Sequence, residues 1–242
     1  MTNVMERVQK HYERAIEHYG HGAVLGVFCY GSWNYNTNTP DSDVDTKCIL
    51  VPSLYNLAIK PYEVKHLHVD DEVCECMSIM HMVANWKKQN INFVEIMFTD
   101  YCIINPLYEE VWNCYFKMCN REAIARYDLR QAVHSMTHQA IHTIKQDPTD
   151  PKKVMNGLRI ARTLFNITQT DKSYKECIWM EEDVREQRFH TPDPKFVETI
   201  LMILEDYLQD VDMIECDEMQ KEAINSYMED FILDVIKYRM KF

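Results

Sequence analysis

The sequence predicts an α+β protein: a strand-bearing first part, a mixed sheet flanked by helices, followed by an almost wholly helical second part. Three observations carry this. Short apolar runs rich in β-forming residues fall before about residue 105, and beyond Pro106 apolar residues recur at helical spacing. The chain of 242 residues, 46% hydrophobic and 26% charged, has ordinary globular composition and the length for one large domain or two small ones. The reading divides it into residues 1–105 and 106–242.

Residues 3–19 place Val4, Val8, Tyr12, Ile16 and Tyr19 at roughly helical spacing, and Gly20 and Gly22 stop the helix. "AVLGVFCY" (23–30) and "VDTKCILV" (44–51) read as buried strands, the second ended by Pro52. "KHLHV" (65–69) and "EVCECMSI" (72–79) read as strands around an Asp-Asp turn. "MHMVANWKKQ" (80–89) is a helix, and 92–104 a helical turn leading into a strand. After Pro106, segments 107–118, 128–146, 151–168, 194–211 and 218–242 are each helical, with Pro151 suited to a first turn.

The charge of −12 is uneven: 18 acids and 7 bases from Glu176 onward make −11, leaving −1 for residues 1–175. A protein gripping long stretches of duplex carries a basic face, and the C-terminal region offers none. No apolar run approaches the ~20 residues needed to cross a bilayer, and the first residues show no signal-peptide core. The nine Cys follow no framework spacing. A cytosolic protein with reduced thiols is expected.

The sharpest feature is "YGSWNYNTNTPDSDVDTKCILV" (30–51). On an extended segment side chains alternate, so Asp43 and Asp45 share a face while Val44 points to the core. Two neighbouring carboxylates repel, and a divalent cation offsets that repulsion; hard oxygen ligands suit Mg²⁺, which also takes phosphate oxygens. Gly31 allows close backbone approach, and Ser32 can cap a short helix whose amides would meet an anion.

"GSWNYNTNTPDSDVD" resembles the Gly-Ser…Asp-x-Asp signature of the DNA polymerase β nucleotidyltransferase superfamily. More narrowly it resembles the RNA-repair-associated branch, which reads G-S-x-A-Y-G-T-x-T-x-x-S-D-x-D. Tyr35, Thr37, Thr39 and Ser42 also match, and Asn36 departs where that branch usually has Gly. "QNINFVEIMF" is similar to its N-P-N-x-x-E-L-L segment, with Ile91 for Pro, and "PKKVMNGLRIARTLF" to its Lys-rich helix. The likeness spans about residues 23–168 and leaves the acidic tail outside.

The resemblance implies a polymerase-β-like catalytic domain (1–105) and a helical domain (106–242) completing the nucleotide and acceptor cleft. It implies Mg²⁺-dependent transfer of a nucleoside monophosphate from an NTP such as ATP to a hydroxyl, with release of pyrophosphate. Asp43 and Asp45 would hold metal, while Gly31, Ser32, Thr39 and Ser42 would meet the nucleotide. A third carboxylate, as metal ligand or base, falls to Glu75, an acid in an apolar strand, with Glu72 and Asp71 as runners-up. The acceptor it implies is an RNA end or tRNA. A small molecule, a protein side chain, or a non-catalytic nucleotide-binding module on the same fold are the alternatives.

Among the other features, Glu95 reads as a site-wall or inter-domain contact, or as a partnered buried acid. Lys152, Lys153, Arg159 and Arg162 form the clearest basic cluster; Lys153 and Arg159 are assigned to phosphate, with solvation or pairing to the acidic tail as the alternative. Cys74 and Cys76 lack a second pair at zinc spacing. His134, His138 and His142 share a helix face and read as surface or interface residues.

Overall fold

The computed structural model describes residues 4–241, with the side chains of Met118 and Cys119 outside that description. Asn3 and Phe242, the outer ends of the first and last expected helices, lie beyond the described residues. The order is α1 (Val4–Tyr19), β1 (Val24–Cys29), α2 (Ser32–Tyr35), β2 (Thr46–Leu50), α3 (Leu54–Ala58), β3 (Lys65–Val69), β4 (Glu72–Ser78), α4 (Ile79–Lys87), α5 (Ile91–Val94) and β5 (Cys102–Ile104). Then come α6 (Glu109–Tyr115), α7 (Met118–Arg126), α8 (Leu129–Gln146), α9 (Pro151–Gln169), α10 (Tyr174–Ile178), α11 (Glu182–Glu186), α12 (Pro194–Gln209) and α13 (Glu218–Arg239).

The five strands form one mixed sheet in the order β3-β4-β2-β1-β5. β2 is central, antiparallel to β1 and parallel to β4, and all five of its residues are buried. That two-sided burial suits the apolar run Cys48, Ile49 and Leu50, while the buried Thr46 and Lys47 each have a polar partner. α1 covers one side through Val4, Val8, His11 and Ala15, spaced 4, 3 and 4 residues apart. The sheet side chains beneath it include Val27, Cys48, Cys74 and Cys76.

On the other side Leu25, Phe28, Ile49 and Met77 join an apolar core that continues through Trp86, Trp112 and Phe116 to Phe231 on α13. α8 and α9 form an antiparallel hairpin started by two side-chain caps, Asp128 receiving the Gln131 N–H and Asp150 the Lys152 N–H. Pro151 occupies the first turn of α9 as its sequence position suggests. Gly157 lets the two helices meet, since a Cβ there would lie 2.3 Å from Ile144 Cδ1.

Among the described residues no helix is long and apolar enough to cross a membrane. One boundary differs from the expected strand. The Asp43–Asp45 segment precedes β2, although the alternation of faces holds through it: Asp43 is exposed, Val44 buried, Asp45 half-buried.

Candidate active site

A cleft of about 310 Å³ opens where the Gly-Ser turn and the segment entering β2 face α8 and α9. That volume lies within the range of small-molecule sites. Gly31, Ser32, Asp43 and Asp45 line one wall; Lys152, Asn156, Arg159 and Arg188 line the other.

The turn is built differently from the expectation. Gly31 itself precedes the first residue of α2, in a left-handed region (φ 81°) that favours glycine, so Ser32 is a first-turn residue rather than a cap. The Gly31 N–H points at Glu95, 3.4 and 3.3 Å from its carboxylate oxygens, and is therefore committed within the protein rather than open to an anion. Asn34 also donates to Glu95, at 3.4 Å, and to the Cys29 carbonyl at 3.0 Å. Glu95 is fully buried, and burial pushes its carboxyl up from 4.5 to about 7. The Tyr35 hydroxyl, Arg159, the Gly31 amide and Asn34 oppose that rise. Glu95 is a partnered buried acid set directly behind the turn, and Arg159 of the helical half lies near enough to act on it, so it also stands where the two halves meet.

Asp43 and Asp45 do share the cleft side. Burial raises the Asp45 carboxyl above its ordinary range, Asp43 adds to the rise, and Lys152 and Lys47 pull against it. Ser42 lines the cleft, but Thr39 does not. Their role is to fold the loop: the Thr39 N–H donates to Ser42 Oγ at 2.8 Å, and the Ser42 N–H returns to the Thr39 carbonyl at 3.0 Å.

Glu75 sits one layer behind. Parallel pairing sets it opposite Lys47, whose ammonium is ion-paired to it and lies 3.9 Å from the Tyr30 ring centroid. The Lys47 side chain is only 4% exposed, so Glu75 has its counter-charge inside the fold and does not line the cleft. Its charge is still near enough to help raise Asp45. Glu72, the first runner-up, faces away from the cleft toward α1, and Asp71 lies exposed in the β3–β4 turn.

On the helical wall Lys152, not Lys153, faces the aspartates; Lys153 lies toward Asp147 at the end of α8. Arg159 is 4% exposed and stacks on Tyr35, 3.7 Å from ring centroid to guanidinium carbon. Its Nε and Nη1 have no hydrogen-bond partner among the described residues. Arg162 turns away to Asp183 at 3.3 Å.

Arg188 was not anticipated. It comes from the acidic region, lines the cleft and donates to the Thr37 carbonyl at 3.2 Å. The same region reaches the Gly-Ser loop again, where the Met180 N–H donates to the Tyr35 carbonyl and Asn36 to the Met180 carbonyl.

Elsewhere, Cys74 and Cys76 are buried beside Cys48, and His134 and His138 stack edge-to-face on an exposed side of α8. Among the described residues no group of three or more His, Cys, Asp and Glu is arranged to hold a metal ion. No protein-family model matches the chain, and no curated protein matches its sequence.

Proposed function

We propose that the protein is a Mg²⁺-dependent nucleotidyltransferase that moves a nucleoside monophosphate from an NTP to an acceptor hydroxyl, an RNA end, and releases pyrophosphate. The observation that carries this reading is a pair of carboxylates on one cleft wall facing three cations on the other, Arg159 buried, Arg188 half-buried and Lys152 exposed. The resemblance of residues 31–45 to the polymerase-β nucleotidyltransferase signature supplies the reaction class.

The donor set fits a divalent cation through two residues rather than three. Asp43 and Asp45 would hold it, and Asp45, already disfavoured as an anion by burial and by Asp43, gains most from a nearby cation. When bound, Mg²⁺ supplies positive charge to the phosphate oxygens. Arg159, with two guanidinium nitrogens unpartnered among the described residues in a nearly dry position, is placed to receive phosphate oxygens, and Lys152 and Arg188 add charge along the same wall. Ser32 presents its hydroxyl at the other side of that path.

The acceptor oxygen bonds to the α-phosphorus as the bond to the bridging oxygen breaks, and pyrophosphate leaves. The hydroxyl proton passes to solvent; Glu75, ion-paired with Lys47, does not line the cleft.

The test is incubation with each labelled NTP, Mg²⁺ and panels of RNA ends, small molecules and proteins. Labelled RNA, with affinity falling by nearly one log unit per log unit of salt for each neutralised phosphate, is the expected result. Efficient labelling of a small molecule or protein while every RNA stays unlabelled overturns the acceptor. No labelling of any kind, with no Mg²⁺-dependent NTP binding, overturns the reaction.

A further inference from the structure

The segment from Ser42 to Thr46 has a second side, and that side is gripped. Asp43 and Asp45 face the cleft, whereas Val44 and Thr46 are buried against α1. Glu72, the first residue of β4, accepts the Val44 N–H at 2.7 Å. The same carboxylate is ion-paired with Arg7, and its other oxygen lies 3.4 Å from His11 Nε2. Arg7 also donates to the Ser42 carbonyl at 3.2 Å, and His11 Nδ1 is 2.7 Å from Thr46 Oγ1. Burial holds His11 below its ordinary pKa, so Arg7 is the charge that balances Glu72.

Ser42, Val44 and Thr46 are thus tied to α1 or β4, while Asp43 and Asp45 are held on the cleft side through their carbonyls, which accept from Trp33 Nε1 at 2.9 Å and from the Tyr30 N–H at 3.0 Å. The arrangement opposes a definite force. The two carboxylates repel, and a backbone free to turn would relieve that repulsion by swinging them apart. The Glu72 side chain is 11% exposed and touches nothing in the cleft, so it acts through the backbone alone.

We propose that Glu72, braced by Arg7 and His11 of α1, is a positioning residue that holds the Asp43 and Asp45 backbone so that both carboxylates meet one cation. The proposal rests on the reading of that pair as the nucleotidyltransfer site. Outer partners that orient ligating carboxylates typically control affinity or activity by about 10–100-fold.

The experiment compares the full-length wild-type chain with Glu72→Ala and Glu72→Gln. Two quantities are read: hydrogen exchange of the Val44 amide without nucleotide or metal, and the Mg²⁺ concentration giving half-maximal NTP binding. Glu72→Ala should expose the Val44 amide to exchange and raise the Mg²⁺ requirement by about 10–100-fold. Glu72→Gln keeps an oxygen for Val44, so it should retain protection and recover most of the Mg²⁺ response. Should Glu72→Ala fail to fold, Arg7→Met, which loosens Glu72 without removing it, should raise the Mg²⁺ requirement about tenfold.

Wild-type exchange and wild-type Mg²⁺ dependence in folded Glu72→Ala, beside an active wild type, overturn this inference alone. So does a wild-type Mg²⁺ requirement in Arg7→Met where Glu72→Ala does not fold. A wild-type chain with no Mg²⁺-dependent NTP binding overturns the nucleotidyltransferase reading and this inference with it.

Discussion

The two walls of the cleft hold their charges by opposite means. On the sheet side the acids are short, and their places are set by backbone ties: Glu95 under the Gly31 amide, Glu72 under the Val44 amide, β1 and β4 on either side of β2. On the helical side the charges ride on long side chains from one helix and one loop, and only Arg159 is buried. A short side chain on a fixed backbone gives geometry; a long one gives charge with freedom to follow a moving phosphate. The difference teaches which substitutions should be abrupt and which gradual.

The sharpest break should come from Asp43→Asn. As a direct ligand it should cost more than the roughly 100-fold at which outer partners stop, in Mg²⁺-dependent NTP transfer measured at saturating nucleotide. The melting temperature without metal should hold or rise, because Asp45 then loses its like-charged neighbour. Transfer at the wild-type rate by Asp43→Asn would remove the aspartate pair from the chemistry.

Glu95→Gln probes the support of the sheet wall rather than its surface. A carboxyl raised from 4.5 to about 7 binds its proton more tightly folded than unfolded, so its contribution to stability is present below pH 4.5 and lost as pH rises to 7. The interval corresponds to roughly 3 kcal/mol. Urea unfolding should therefore find the Gln variant close to wild type at pH 5 and more stable at pH 8. The same difference at both pH values would mean that Glu95 does not titrate in this window.

The smallest effects belong to the helical wall. Lys152→Ala should weaken NTP binding about two- to fivefold, the scale of a solvent-screened contact, while Lys153→Ala should stay at the wild-type value. Reversed outcomes would turn the proposed nucleotide-facing side of α9 from Lys152 to Lys153.

Parts of this contrast were legible in the sequence. Alternation around Val44 placed both aspartates on one face, and that periodicity survives even where the strand has not yet begun. The strands before residue 105 and the helices after it follow directly from the spacing of apolar residues.

What escaped depends on long-range register. Glu75 meets Lys47 because β2 and β4 run parallel with those residues opposed, and sequence spacing does not state register between distant strands. Choosing Lys152 over Lys153 requires the rotation of α9 about its own axis, which its packing on α8 at Gly157 and Ile144 decides. Arg188 lay in a region whose net charge spoke only against gripping a duplex, and a summed charge hides the direction of one side chain. Glu95 stood out as an acid among apolar residues, but its partner, a main-chain amide 64 positions away, carries no side-chain signature.

The unbroken apolar core beneath the cleft has a mechanical consequence. Phe28 of the sheet touches Trp112 at 5.0 Å between ring centroids, and Trp112 leads on to Phe231 at 6.1 Å. The same core runs on into α8 and α9 through Val133, Met136, Ile160 and Leu164, so opening the walls like jaws would wet it, and the cleft keeps a shape set before anything enters it. The entropy of shaping it is spent during folding, and a ligand would meet a site already in form.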